Sequence, residues 1–153
     1  MTHPSVAAMW QRFRALHPEA PIAIPLTYHF CDNSADAKVC ADLVVKGQKQ
    51  ATAASLVELE MVGYPVAQPG DYAVITDFEG EARAVIRTTT VEIRRFGDVD
   101  AQFAWDEGEG DRSLAWWREA HLAYYQRVLA DSGIRVDDEL MIACERFETL
   151  FVD

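Results

Sequence analysis

The apolar spacing of this chain alternates between helical and strand periods, and the order of those changes restricts the folds open to it. From Ser5 onward Trp10, Phe13 and Leu16 recur at helical intervals, and Pro18 and Pro21 end that first helix. Ile22 to Phe30 reads as extended. Asn33 or Ser34 caps a second helix whose apolar face is Val39, Cys40, Leu43 and Val44, with Gly47 at the left-handed C-terminal position. Strand signals follow over Ala51 to Val57, Tyr72 to Thr76, Ala82 to Thr88 and Thr90 to Arg95, segments that turn rich in Val, Ile and Thr. The stretch before Pro65 and Pro69 is irregular, and Gly70-Asp71 and Glu79-Gly80 mark turns. Phe96 to Trp105 reads as a loop with a short helix. A third long helix, about Ser113 to Asp131, carries Leu114, Trp117, His121, Tyr124 and Val128 on one stripe and stops at Ser132-Gly133. That stripe leaves Trp116, Arg118 and Tyr125 for the exposed side. A last strand runs from Glu139 to Phe147 or beyond. Helices, then grouped strands, then one helix and one strand predict an α+β domain, a small mixed barrel flanked by helices. With no repeat or linker, residues 1–153 read as one domain.

Charge narrows the function. Fourteen Lys and Arg face 25 Asp and Glu, a formal net charge of −11. Broad binding to long nucleic acids relies on basic side chains displacing counterions from many phosphates, and this chain is poorly supplied for it. A nucleic-acid contact then requires a local basic cleft, a bound cation or a small uncharged nucleoside. Cys31, Cys40 and Cys144 are odd in number and widely spaced, which predicts buried thiols in a reducing compartment rather than a disulfide or zinc framework. No stretch reaches the ~20 apolar residues of a membrane helix. Met1-Thr2-His3-Pro4 has no signal-peptide pattern. A cytoplasmic location without membrane association is the expectation.

Three local patterns carry possible chemistry. In Gly47-Gln48-Lys49-Gln50-Ala51-Thr52 a helix ends and a strand begins; Lys49 and Thr52 converge only if the turn after Gly47 bends the chain, since residues three apart in a strand point to opposite faces. The alternative is a solvated lysine and a strand threonine. Asp106-Glu107-Gly108-Glu109-Gly110-Asp111 places four carboxylates in six residues on a glycine-loosened backbone. Asp111 or Ser113 caps the following helix; the other acids suit a hard cation, a chemical role or plain solvation. In Trp116-Trp117-Arg118-Glu119-Ala120-His121, His121 reads as a core or cleft-edge histidine before a catalytic one. There is no P-loop, dinucleotide fingerprint, H-E-x-x-H or G-x-S-x-G.

In order and spacing these segments resemble the ASCH family. The resemblance runs from about residue 26 to 150 through Gly47-x-Lys49-x-Ala51-Thr52-Ala53-Ser55-Leu56, Pro69-Gly70-Asp71-Tyr72, Phe96-Gly97-Asp98-Val99, Glu107-Gly108-Glu109-Gly110-Asp111-x-Ser113-Leu114, Trp117-Arg118, His121 and Cys144-Glu145-Arg146-Phe147. It implies a PUA-like β-barrel with helices beside it and a cleft between. Members of that family are linked to RNA binding, to divalent-metal-dependent cleavage of single-stranded RNA, and to removal of the acetyl group from N4-acetylcytidine. In the amide-hydrolysing members a lysine, a threonine three residues later and a distant glutamate form the active site. These carry over to Lys49, Thr52 and either Glu109 or Glu107, with Glu109 preferred. Those members have an arginine two residues past the threonine, where this chain has Ala54.

Three readings follow from that resemblance. As an amidohydrolase, Thr52 attacks the acyl carbon of an N4-acylated cytidine and a neutral Lys49 takes its proton, with no cofactor. This asks the lysine pKa to fall from ~10.4 to ~7–8, about 4 kcal/mol of desolvation. As a ribonuclease, Glu107, Glu109 and Asp111 hold Mg²⁺ while Lys46, Lys49 and Arg118 steady the RNA backbone. As a binding module, the same cleft takes RNA or a modified nucleoside without turnover. Lys46, Glu107, Asp111, Ser113 and Arg118 are the expected substrate-side contacts.

Overall fold

The computed structural model describes residues 1–153. Helix α1 (Pro4–Leu16) starts at a proline in its first turn, where the missing N–H costs nothing. It buries Val6, Met9, Trp10 and Phe13 against Val74 and Val85. Leu16, at the last helical residue, is exposed instead of continuing that stripe. The extended stretch that follows contributes only a three-residue strand, β1 (Leu26–Tyr28).

Helix α2 (Ser34–Val45) is capped by Asn33, whose side chain accepts the Asp36 N–H at 2.9 Å. Its buried face is Ala37, Cys40, Ala41 and Val44, rotated from the predicted one, and Val39 lies outside. Strand β2 (Ala51–Ser55) is shorter than predicted because a helix, α3 (Leu56–Val62), takes Val57. Ser55 caps it by accepting the Glu58 N–H at 3.0 Å. Ser55-Leu56-Val57-Glu58 is the serine-to-glutamate spacing of a capping box, a helix-start signal lying inside the predicted strand.

The sheet is completed by β3 (Tyr72–Thr76), β4 (Ala82–Arg95) and β5 (Met141–Val152), in the spatial order β1-β3-β4-β5-β2. Only β1 and β3 run parallel. The two strands predicted around Thr89 are one strand, and the interruption between them survives as a register shift between Thr88 and Thr90. Such a bulge sharpens the local bend, and here it helps curl the sheet into a half-barrel whose edge strands are β1 and β2.

A 3-10 turn at Phe96–Asp98 leads to α4 (Ala101–Glu107), and α5 (Leu114–Val128) covers the β2 side of the sheet. Tyr125, expected outside, is fully buried, and its hydroxyl donates to the Ala53 carbonyl at 2.6 Å. The buried face of α5 passes through Trp117 and Tyr125 and only half-buries Tyr124. Tyr125→Phe removes one buried hydrogen bond between helix and edge strand, so urea denaturation should show a loss of about 1–2 kcal/mol.

Candidate active site

Gly47, in the left-handed conformation, turns the chain at the end of α2, and the N–H groups of Gln48 and Lys49 both return to the Leu43 carbonyl. That turn aims Lys49 inward. Its side chain is 1% exposed, and the ammonium donates to the Ala51 carbonyl at 2.8 Å, Glu107 Oε1 at 3.0 Å and Glu109 Oε2 at 2.9 Å. All three of its protons are used.

Both carboxylates come from the acidic segment, which is pinned rather than loose. The Gln50 N–H donates to the Asp106 carbonyl, and Gln48 Nε2 to the Gly108 carbonyl at 2.7 Å. At Gly108, which ends α4 with φ +75°, a Cβ would lie 2.6 Å from the Gln48 carbonyl oxygen. The glycine is required both by its conformation and by backbone contact.

Glu107 is as buried as Lys49. Its Oε2 accepts His121 Nε2–H at 2.8 Å and the Trp117 indole N–H. The other His121 nitrogen lies 2.9 Å from the Trp117 carbonyl. Both partners of the ring accept only, so the ring carries two protons. Burial works against that cation, but the Glu107 charge outweighs it and raises the His121 pKa. Burial also opposes ionised Glu107, and the Lys49 and His121 charges override it, holding the carboxyl below its ordinary range. Lys49 follows the same logic: desolvation favours the neutral amine, yet Glu107 and Glu109 together push its pKa above that of a free lysine. The expected neutral base is therefore overturned. Lys49, His121, Glu107 and Glu109 form a neutral quartet of two cations and two anions.

Glu109 is the more accessible carboxylate, 16% exposed, and its Oε1 accepts the Cys40 thiol at 3.3 Å. Thr52 sits half-buried on β2. Lys49, Thr52, Glu107, Glu109 and His121 line one cleft of about 1400 Å³, bounded by residues of both edge strands, β1 and β2. Four sequence-predicted contacts lie off it. Lys46 is exposed beside the end of α2. Asp111 turns back to accept the Ser113 N–H, and Ser113 caps α5 through the Trp116 N–H. Arg118 reaches the Gly97 carbonyl and Asp138. Alternation along a loop said nothing about which acids face inward; the glycine contacts decide it.

The set Glu107, Glu109 and Asp111 expected for Mg²⁺ is thus not assembled, and the inward carboxylate oxygens already face Lys49, His121 and Trp117 donors. Ligand atoms of Glu107, Glu109 and His121 do fall within 4.8 Å of one another, as do those of Cys31, Cys40 and Glu109. A cation at the first set would have to displace the ammonium. The cleft wall as a whole is acidic: Asp36, Glu58, Asp71, Glu79, Glu107, Glu109 and Glu145 against Lys49, Arg127 and protonated His121. Ala54 adds no charge to it.

A curled mixed sheet with flanking helices and a lysine-centred cleft defines a small α+β domain of PUA-like architecture. A family model for the ASCH domain matches residues 26–151, and the chain belongs to that family. The fold is similar to an ASCH domain from Lactobacillus crispatus JV V101, at 27% identity over 97% of this chain and 95% of that one, with a TM-score of 0.85. It is also similar to protein EF3133 from Enterococcus faecalis V583, at 31% identity over 97% and 89%, with a TM-score of 0.86. Hypothetical protein PH0355, 10% identical over 82% of this chain and 100% of that one, shares the fold at a TM-score of 0.53. No curated protein matches the chain. No helix is long and apolar enough to cross a membrane.

Proposed function

We propose that this ASCH domain is an amidohydrolase acting on N4-acylated cytidine-type nucleosides. The observation that carries the reading is the buried ammonium of Lys49 held between Glu107 and Glu109 in a cleft that Thr52 also lines. Buried ion sets are weak stabilisers and cluster where chemistry needs perturbed groups. The acidic cleft favours an uncharged nucleoside over a phosphate backbone, which supports this reading above the metal-dependent ribonuclease.

Because Lys49 is charged at rest, the proton acceptor becomes Glu109. Thr52 Oγ attacks the acyl carbon and its proton passes to the Glu109 carboxylate. Once protonated, Glu109 releases one Lys49 N–H, which stabilises the negative oxygen of the tetrahedral intermediate. Glu109 then protonates the departing N4, leaving an acyl ester on Thr52 and free cytidine. Water, deprotonated by the same carboxylate, releases the acid and restores the hydroxyl. Glu107 and His121 hold the ammonium in place.

Incubating the protein with N4-acetylcytidine should yield cytidine and acetate, separated by chromatography, at a rate unchanged by EDTA. If no cytidine forms while a pyrimidine–adenine RNA oligomer is cut only with Mg²⁺, the ribonuclease reading replaces this one.

A further inference from the structure

On the wall of the same cleft, β5 carries a carboxylate the mechanism leaves idle. Glu145 pairs in register with Thr52 on β2, so the two side chains leave the sheet on one face. One oxygen, Oε1, accepts the Thr88 hydroxyl at 2.6 Å; the other accepts from no protein donor. Tyr28, at the end of β1, lines the same cleft, and its hydroxyl also has no protein partner; Glu145 and Lys49 are the charges acting on it. Burial keeps that phenol protonated and raises the Glu145 pKa, an effect its Thr88 hydrogen bond opposes. Both residues are half-buried on the cleft wall, and an acceptor and a donor left without protein partners on one hollow describe the ligand that would engage both.

We propose that Glu145 and Tyr28 form the base-reading side of the cleft, taking a nucleobase edge that presents an N–H donor beside a ring acceptor. The 4-amino pyrimidine edge of cytosine has that order, with N4–H towards Glu145 and N3 towards Tyr28. Uracil reverses it, setting O4 against the carboxylate and N3–H against the hydroxyl. The inference rests on the nucleoside reading above. It assigns selectivity to residues that take no part in bond breaking, and a carboxylate opposed by a carbonyl oxygen discriminates more strongly than a missing contact.

Calorimetric titration of the wild-type protein with cytidine and with uridine tests it. Cytidine should bind about tenfold or more tightly than uridine. In Glu145→Gln the amide rotates to present either an acceptor or a donor, so the preference should shrink to within roughly threefold. Tyr28→Phe should weaken cytidine binding about threefold to tenfold, the loss of one hydrogen bond. Thermal melts of both variants verify that they fold. Equal binding of the two nucleosides, binding of neither, or a preference undiminished in folded Glu145→Gln overturns the assignment. Hydrolysis of N4-acetylcytidine alongside such a result would sink the base-reading role and leave the hydrolase standing. A cytidine preference without hydrolysis would do the opposite.

Discussion

Replacing Lys49 by methionine should cost this domain about 3–5 kcal/mol of folding free energy, read by chemical denaturation at pH 7. The volume is nearly kept, so the effect isolates charge. Without the ammonium, Glu107 retains only His121 as a counter-charge and Glu109 loses its one cation. The pH dependence contributed by Glu107 should change sign as well. In the wild type the folded Glu107 pKa lies below the unfolded value, so its contribution is present above the ordinary carboxyl pKa and fades as pH falls towards the depressed one. In Lys49→Met burial prevails, the folded pKa rises above the unfolded value, and stability falls with increasing pH. His121, whose folded pKa is raised, gives both proteins some fall in stability as pH rises, so the decisive quantity is the additional fall between pH 5 and pH 8 in Lys49→Met relative to wild type. Adding Glu107→Gln should recover part of the loss at pH 8. If Lys49→Met is as stable as wild type at both values, the buried quartet is not an ionic unit.

Thr52→Ala should lower turnover of N4-acetylcytidine by roughly a thousandfold or more, the scale seen when a covalent nucleophile is removed. Stability should change by less than about 1 kcal/mol, because the residue is a half-buried position on a short edge strand. Thr52→Ser retains a hydroxyl and should keep measurable activity, with an acyl-enzyme detectable by mass spectrometry under acid quench. A folded Thr52→Ala enzyme with unchanged kcat would remove the covalent route and leave direct attack by water under Glu109.

Much of the fold was legible because period and punctuation agree. Every long helix stands between the breaks read from Pro18, Gly47 and Ser132-Gly133, and the strand pattern broke at Thr89, where β4 changes register. The faces were harder. In α2 the sheet selects Ala37 and Ala41 over Val39, since small residues let a helix sit close, and hydrophobicity alone favours the larger side chain. Helix α3 hides inside an apolar run, where strand-forming neighbours mask the capping signal of Ser55. At the site, the residue types and their convergence on one cleft followed from the family pattern. The protonation state did not: the partners that fix Lys49 lie about sixty positions away, and their approach depends on main-chain packing that no local window contains. Glu145 was visible as a carboxylate following Ile142, Ala143 and Cys144, a polar interruption of an apolar strand, but nothing in the sequence told which hollow it faced.

The two sides of the cleft are built by different means. The charged side is set by the seam where Gly108 lies on Gln48, with no space for even a methyl group. A substituent there would lift the whole segment and pull both acids from the amine together, so this side cannot be retuned by small steps. The Glu145 and Tyr28 part consists of single strand side chains, each held by one neighbour, Thr88 for Glu145 and Phe30 for Tyr28. Among related chains, a change of ligand should therefore fall on β1 and β5, and the ionic side should be kept whole or lost whole; aligned sequences of the family would check both.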